Sequence, residues 1–160
     1  MLTTEISENE ITETAETLTE KALADYNLRV YPPGTVLLAM YGQGQTRGRT
    51  ALLQCNAAIT QNCAALVPDA SVIQSKYLFY NLQARYEEIR SQEYSGGGVP
   101  HLNANIISHM LIPVPELDKQ DSIIVEIDKQ QHALSELRIM ADTAQQQYQR
   151  IVTQLLEDSN

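Results

Sequence analysis

With 160 residues, 43% of them hydrophobic, and a formal net charge of -9, the chain can bury one modest core with an appendage, not two domains of usual size beside a long helix. No apolar run approaches the roughly 18 residues that a membrane helix needs. The opening MLTTEISENE is acidic where a secretory signal is basic and then apolar, so the expected location is the cytoplasm.

The segment from Ile6 to Leu28 repeats Thr and Glu through ITETAETLTEKAL, which predicts a weakly amphipathic helix or ordered arm with Ile11, Ala15, Leu18 and Leu23 as its apolar residues. YPPGT then forces a turn, and Val36 to Tyr41 form a short continuous apolar run of the length expected for a buried strand. A polar, glycine-rich loop, GQGQTRGRT, covers Gly42 to Thr50. ALLQCNAAITQNCAALVPD follows and predicts two short strands around a turn near Asn56, closed by Val67, Pro68 and Asp69.

From Ser75 to Gln92, Tyr77, Leu78, Leu82, Tyr86 and Ile89 recur at helical spacing, and Gly96, Gly97 and Gly98 end the pattern. A loop, a short helical turn and a strand from Met110 to Val114, stopped by Pro115, are expected next. Beyond Leu117 there is neither Pro nor Gly. There Ile123, Ile127, Gln130, Leu134, Leu137, Ala141, Ala144, Tyr148, Ile151 and Leu155 alternate spacings of four and three, the seam of a coiled coil. At about 1.5 Å per residue this arm extends some 50 Å and implies a partner helix, the alternative being a long helix folded back on its own domain. The fold class expected is α+β, with a globular domain over residues 1–117 and a spacer or dimerisation helix over 118–160.

The acidic total charge argues against a polyanionic partner, yet it is unevenly spread. Residues 1–20 carry six acidic and no basic side chains, 101–160 carry nine against four, and 21–100 carry seven basic against five acidic. Any surface for nucleic acid therefore belongs to the middle segment. Its glycine-rich loop fails the dinucleotide fingerprint, which needs glycine at Arg47. It also fails the P-loop, which needs glycine at Gln43 and lysine at Arg49. What the loop does carry, Gln43, Gln45, Thr46, Arg47 and Arg49, suits base edges and phosphates, since arginine pairs with guanine and glutamine with adenine in bidentate fashion. Taken alone, a solvated hairpin tip explains it equally well. Asn56, Gln61 and Asn62 add amides nearby.

No catalytic constellation stands out. Cys55 and Cys63 lack a CxxC spacing or neighbouring histidines, and His101, His109 and His132 are too scattered for a metal site or a triad. No cofactor is expected. Tyr77, Tyr80 and Tyr86 have the spacing of core residues more than of a stacking platform.

The order of these segments resembles the specificity subunits of type I restriction-modification systems. The likeness is carried by ITETAETLTEKAL, by YPPGTVLLAMYGQGQTRG, by the turn from Ile59 to Ala64 and by LIPVPELDKQDSIIVEI before the long helix, and it runs from about Ile6 to Leu156. The resemblance implies a non-catalytic subunit that recognises double-stranded DNA and whose helices dock methyltransferase subunits, with a restriction subunit completing the complex. Carried onto this chain, the recognition loop corresponds to Gln43, Gln45, Thr46, Arg47 and Arg49, and the spacer to Ile127, Leu134, Leu137, Tyr148 and Ile151. Members of that family have two recognition domains. The one here, which begins at what resembles a domain's middle, implies a fragment or a half-subunit that pairs through its helix. The alternative function is a helical adaptor that binds no DNA; a nucleotide-dependent enzyme is a third.

Overall fold

The computed structural model describes residues 1, 3–42, 45–91 and 101–157. The chain divides into two compact units, Met1–Asp121 and Ser122–Asn160. In the first, β1 (Asn9–Ile11), α1 (Glu20–Asp25), β2 (Val30–Tyr31), β3 (Val36–Ala39), β4 (Thr50–Leu53), β5 (Ala57–Ala58) and β6 (Cys63–Leu66) precede three helices. Those are α2 (Ser75–Ala84), α3 (Tyr86–Ser91) and α4 (Ala104–Ser108). The architecture is α+β, as the periodicities predict.

The main sheet has the order β1-β4-β3-β6, and β2 pairs with β5 in a separate two-stranded ribbon. β3 is central and antiparallel to both neighbours, with Leu37 opposite Ala51 and Ala39 opposite Cys63. Its four residues are fully buried, which is why the sequence there is a continuous apolar run instead of an alternating one. Side-chain alternation sends Leu37, Ala39, Ala51, Leu53 and Cys63 into one cluster with Ile6 and Ile11. Val36, Leu38 and Leu52 belong to the opposite parity, and α2 packs on β3 and β4.

Four expectations change. The segment from Ile6 to Leu28, expected as a helix or ordered arm, is not one helix: Ile11 lies in β1, parallel to β4, and within the segment only Glu20–Asp25 is helical, capped by the Thr19 hydroxyl on the Ala22 amide. Burial of Ile6 and Ile11 against the sheet outweighs the weak helical spacing. The two strands expected after the polar loop are three, because β4 and β6 flank β3 and β5 joins β2. The strand expected over Met110–Val114 does not form. Pro113 has no N–H to give a ladder, and the carbonyls of this stretch bond to side chains instead. Arg85 donates to the Leu111 carbonyl at 2.7 Å and Tyr77 to that of Pro113 at 2.8 Å. The helix expected from Ser75 to Gln92 is divided at Arg85 into α2 and α3, while Gln92 and Gly96 to Gly98 lie outside the described residues.

The long terminal helix α5 (Leu117–Glu157) has 41 residues, about 60 Å at the usual rise. Its first turn belongs to the first unit. There Gln120, fully buried, accepts from the Gln74 amide at 2.9 Å and donates to the carbonyls of Val72 and Pro115 at 3.0 and 2.8 Å. All three groups would be costly to bury unpaired. Gln120→Leu is therefore expected to lower unfolding free energy by roughly 1–3 kcal/mol in thermal or urea denaturation. Gln130→Leu, at an exposed position of the same helix, is expected to change it by no more than about 0.5 kcal/mol.

Candidate nucleic-acid interface

The polar loop leaves the end of β3 and returns as β4, so its conformation is set by how those strands close. Ala39 donates to the Arg49 carbonyl and Gly48 to that of Ala39, both at 2.9 Å. Gly48 has a φ of +86°, a left-handed conformation in which a side chain would be strained. Gly42 is required for a different reason: a Cβ there would lie 2.6 Å from Cβ of Thr46. The glycines thus serve the loop's own tight path.

Helix α3 braces this loop from the side. The Tyr86 hydroxyl donates to the Gln45 carbonyl at 2.7 Å, and Arg90 donates to the Tyr86 hydroxyl at 3.1 Å. Arg47 reaches the Arg90 carbonyl at 3.4 Å, and Arg49 donates to the Gln45 side chain at 3.1 Å. Both loop arginines are half-buried, and Nε of Arg49 is buried with no hydrogen-bond partner among the described residues. Spacing alone had placed Tyr86 in the core. Its ring is instead half-buried, with its hydroxyl on the loop, whereas Tyr77 and Tyr80 are core residues as expected.

The same end of the sheet receives two other segments. β6 runs antiparallel to β3, so its start lies beside the loop, and Met40 donates to the Asn62 carbonyl at 2.9 Å. Leu102 in turn donates to the Met40 carbonyl at 3.0 Å. Gln61 and Asn62, both exposed, are therefore brought to the end that carries Gln45, Thr46, Arg47 and Arg49. Asn56 is not: it follows β4 at the opposite end, beside Leu18, Val30 and the ribbon residue Ala57. Gln43 lies outside the described residues. Sequence reading missed Tyr86, Arg90 and a Tyr41–His101 ring pair here. The only available hint was Tyr41, a bulky aromatic at the end of a buried strand and next to a loop.

Among the described residues, no group of three His, Cys, Asp or Glu side chains is placed to hold a metal ion. Both cysteines are free, and burial pushes the Cys63 thiol up, away from a reactive thiolate. His109 bonds to the Asn105 carbonyl at 2.8 Å and His132 lies 3.5 Å from Glu136. No helix of the described residues is long and apolar enough to cross a membrane.

In the second unit the seam residues Leu134, Leu137, Tyr148, Ile151 and Leu155 are 54–62% exposed, whereas Ile123 and Ile127 are half-buried. The described structure therefore holds an apolar stripe along a helix that continues without a break through Glu157.

Comparison with known proteins adds a family. The chain is 28% identical over 107 residues to the specificity subunit of the type I restriction enzyme MjaIX from Methanocaldococcus jannaschii, covering 66% of this chain and 24% of that protein. It is 23% identical over 114 residues to the EcoR124I/EcoR124II specificity subunit from Escherichia coli, covering 70% and 28%. The chain thus spans about a quarter of the length of these curated relatives. A solved structure of a type I R-M system matches with a TM-score of 0.66 at 21% identity, over 89% of this chain and 33% of that one. The HsdS subunit from Thermoanaerobacter tengcongensis matches with 0.56 at 24% identity, over 68% and 25%. At such identities the structures speak for the fold. The family model of the type I restriction modification DNA specificity domain matches residues 1–141, and the chain belongs to that family.

Proposed function

We propose that this chain reads DNA sequence for a type I restriction-modification enzyme without itself catalysing a reaction, and that its terminal helix docks partner subunits. The observation that carries the proposal is the convergence of Gln45, Thr46, Arg47, Arg49 and Gln61 at one end of the sheet. Arginines there supply phosphate attraction and bidentate contacts, and amides supply donors and acceptors matched to base edges. The family supports the same reading. Gln43, beside Gln45 in the chain, belongs to the proposed surface. Asn56 would need a second contact at the far end of the domain. The acidic balance of the chain is compatible with this function because the acidic residues gather outside the middle segment.

The seam of Ile123, Ile127, Leu134, Leu137, Tyr148, Ile151 and Leu155 is proposed as the interface with methyltransferase subunits or with a second copy of the chain, a restriction subunit joining the same complex. A subunit of this kind works in the cytoplasm, where its DNA is. The rival, a helical adaptor, explains the stripe but leaves an arginine and amide surface without a use.

Three measurements test this reading. In a salt series of duplex binding by the chain assembled with its methyltransferase, Arg49→Ala is expected to weaken binding and to reduce the slope of log affinity against log salt by about 1. Arg47→Ala should do the same, and unchanged affinity and site choice in both would count against the loop. Tyr86→Phe, which removes only the hydroxyl holding Gln45, should relax discrimination between single-base variants of the preferred duplex while leaving that slope intact. For the helix, Leu134→Asp and Leu137→Asp should abolish self-association or methyltransferase binding in analytical ultracentrifugation; retention of both would exclude the seam as an interface.

A further inference from the structure

At the loop-bearing end of the sheet lies an open groove of about 490 Å³, lined by Met40, Tyr41, Gln61, Asn62, Leu102 and Asn103 among others. Its frame is main chain: Met40 is bonded to Asn62 on one side and Leu102 on the other, and Leu102 is fully buried as an anchor. Tyr41, which lines the groove, stacks on the neighbouring His101 ring at 4.8 Å with only 6° between their planes. Tyr41 keeps 37% of its surface exposed and His101 is half-buried, so the pair sits at the surface. The side-chain carbonyl of Asn103 is committed to capping α4 through the Ile106 amide at 2.9 Å, and the exposed amides are those of Gln61 and Asn62. Among the described residues, no carboxylate lines the groove, although the whole chain has 20 acidic side chains.

We propose that this groove holds one deoxynucleotide of the bound DNA, with the base against the Tyr41–His101 pair and its hydrogen-bonding edge read by Asn62 and Gln61. The proposal rests on the DNA-reading function proposed above and adds Tyr41, Asn62 and His101 to its contacts. The chemistry favours a base over other occupants. Neutral amides offer a donor and an acceptor side by side, as base edges do. A nucleotide swung out of the duplex gives up its stacking and pairing there, and the freed π face of any base can stack on a flat aromatic ring instead. The volume falls in the range of small-molecule sites, roughly 300–1,000 Å³. Arg47 and Arg49, on the adjacent loop, supply the phosphate attraction that the groove itself lacks.

Photocrosslinking tests this directly. Duplexes selected from a randomised pool by the full chain assembled with its methyltransferase carry 5-iododeoxyuridine at each thymine position in turn, and the crosslinked residues are mapped by mass spectrometry. Crosslinks at Tyr41 or His101 are expected at one or two adjacent positions. Asn62→Ala should lower affinity for the selected duplex about 5- to 100-fold and relax the base preference at those positions. Its salt slope should stay unchanged, because no phosphate contact is lost. Asn62 is exposed and bonds to Met40 through its backbone carbonyl, so thermal melting of this variant should match the parent chain. Crosslinks confined to the 45–49 loop, with Asn62→Ala binding as the parent does, would overturn the groove and leave the DNA-reading function standing. Loss of methyltransferase association in Asn62→Ala or Tyr41→Ala with no crosslink at either ring would assign the groove to a protein partner instead. Absence of any specific duplex binding would overturn both readings together.

Discussion

The hydrogen bonding of β3 on both edges is the constraint from which the rest of the first unit follows. Its four residues lie between β4 and β6 and are shielded from solvent on both faces. Such a strand has no freedom of register, because a one-residue slip would exchange Leu37 and Ala39 with Val36 and Leu38 across the sheet. Whatever leaves its end therefore leaves from a fixed point. At Met40 the chain exits, and the amide and carbonyl of that residue are taken by Asn62 and Leu102. Three segments separated in the chain by twenty to sixty residues meet there, and none could shift without breaking one of these main-chain hydrogen bonds.

The DNA surface proposed on that point would divide its work by residue type. On that proposal, arginine on the loop contributes charge, whose attraction for a duplex weakens with salt. Amides on the neighbouring turn contribute direction, because a donor and acceptor held on a strand end can match one base edge and mismatch another. Direction is useful only if the groups are held still. The Tyr86 hydroxyl on the Gln45 carbonyl, with Arg90 behind it, provides that rigidity for the loop. The strand ladder provides it for the turn. A strongly acidic chain can then present a DNA-binding face, because long-range repulsion is screened within about 8–10 Å at physiological salt while the loop's contacts are local.

What could be read beforehand follows from range. β3 and α5 announce themselves through local pattern, an apolar run and an unbroken four-three repeat without Pro or Gly. β1 does not, because Asn9–Ile11 is a strand only by virtue of its parallel partner β4, some forty residues later. Met110–Val114 looks like a strand for its apolar residues, but its carbonyls are claimed by Tyr77 and Arg85, which no local rule reveals. The site divides in the same way. Arg47 and Arg49 were legible as chemistry set in a polar loop. That Gln61 belongs with them and Asn56 does not depends on strand order, since both flank short strands of similar composition. Tyr86 had a helical spacing that fits the core, and only the break at Arg85 turns its hydroxyl to a new use.

The second unit poses the opposite physical problem. A helix as long as Leu117–Glu157 gains little from intrinsic propensity, and in proteins most helical stability comes from covering an apolar face. Burying each Leu or Ile of such a face contributes about 1.5–3 kcal/mol, so the exposed stretch from Leu134 to Leu155 leaves a large driving force unused. Its repeat of 3.5 residues is the period at which two helices stay in register along their whole length. A short docking patch would need only one or two turns of that pattern. Maintaining it over three heptads makes sense when the partner is itself a long helix and when separation between functional parts, rather than a single contact, is what the helix contributes.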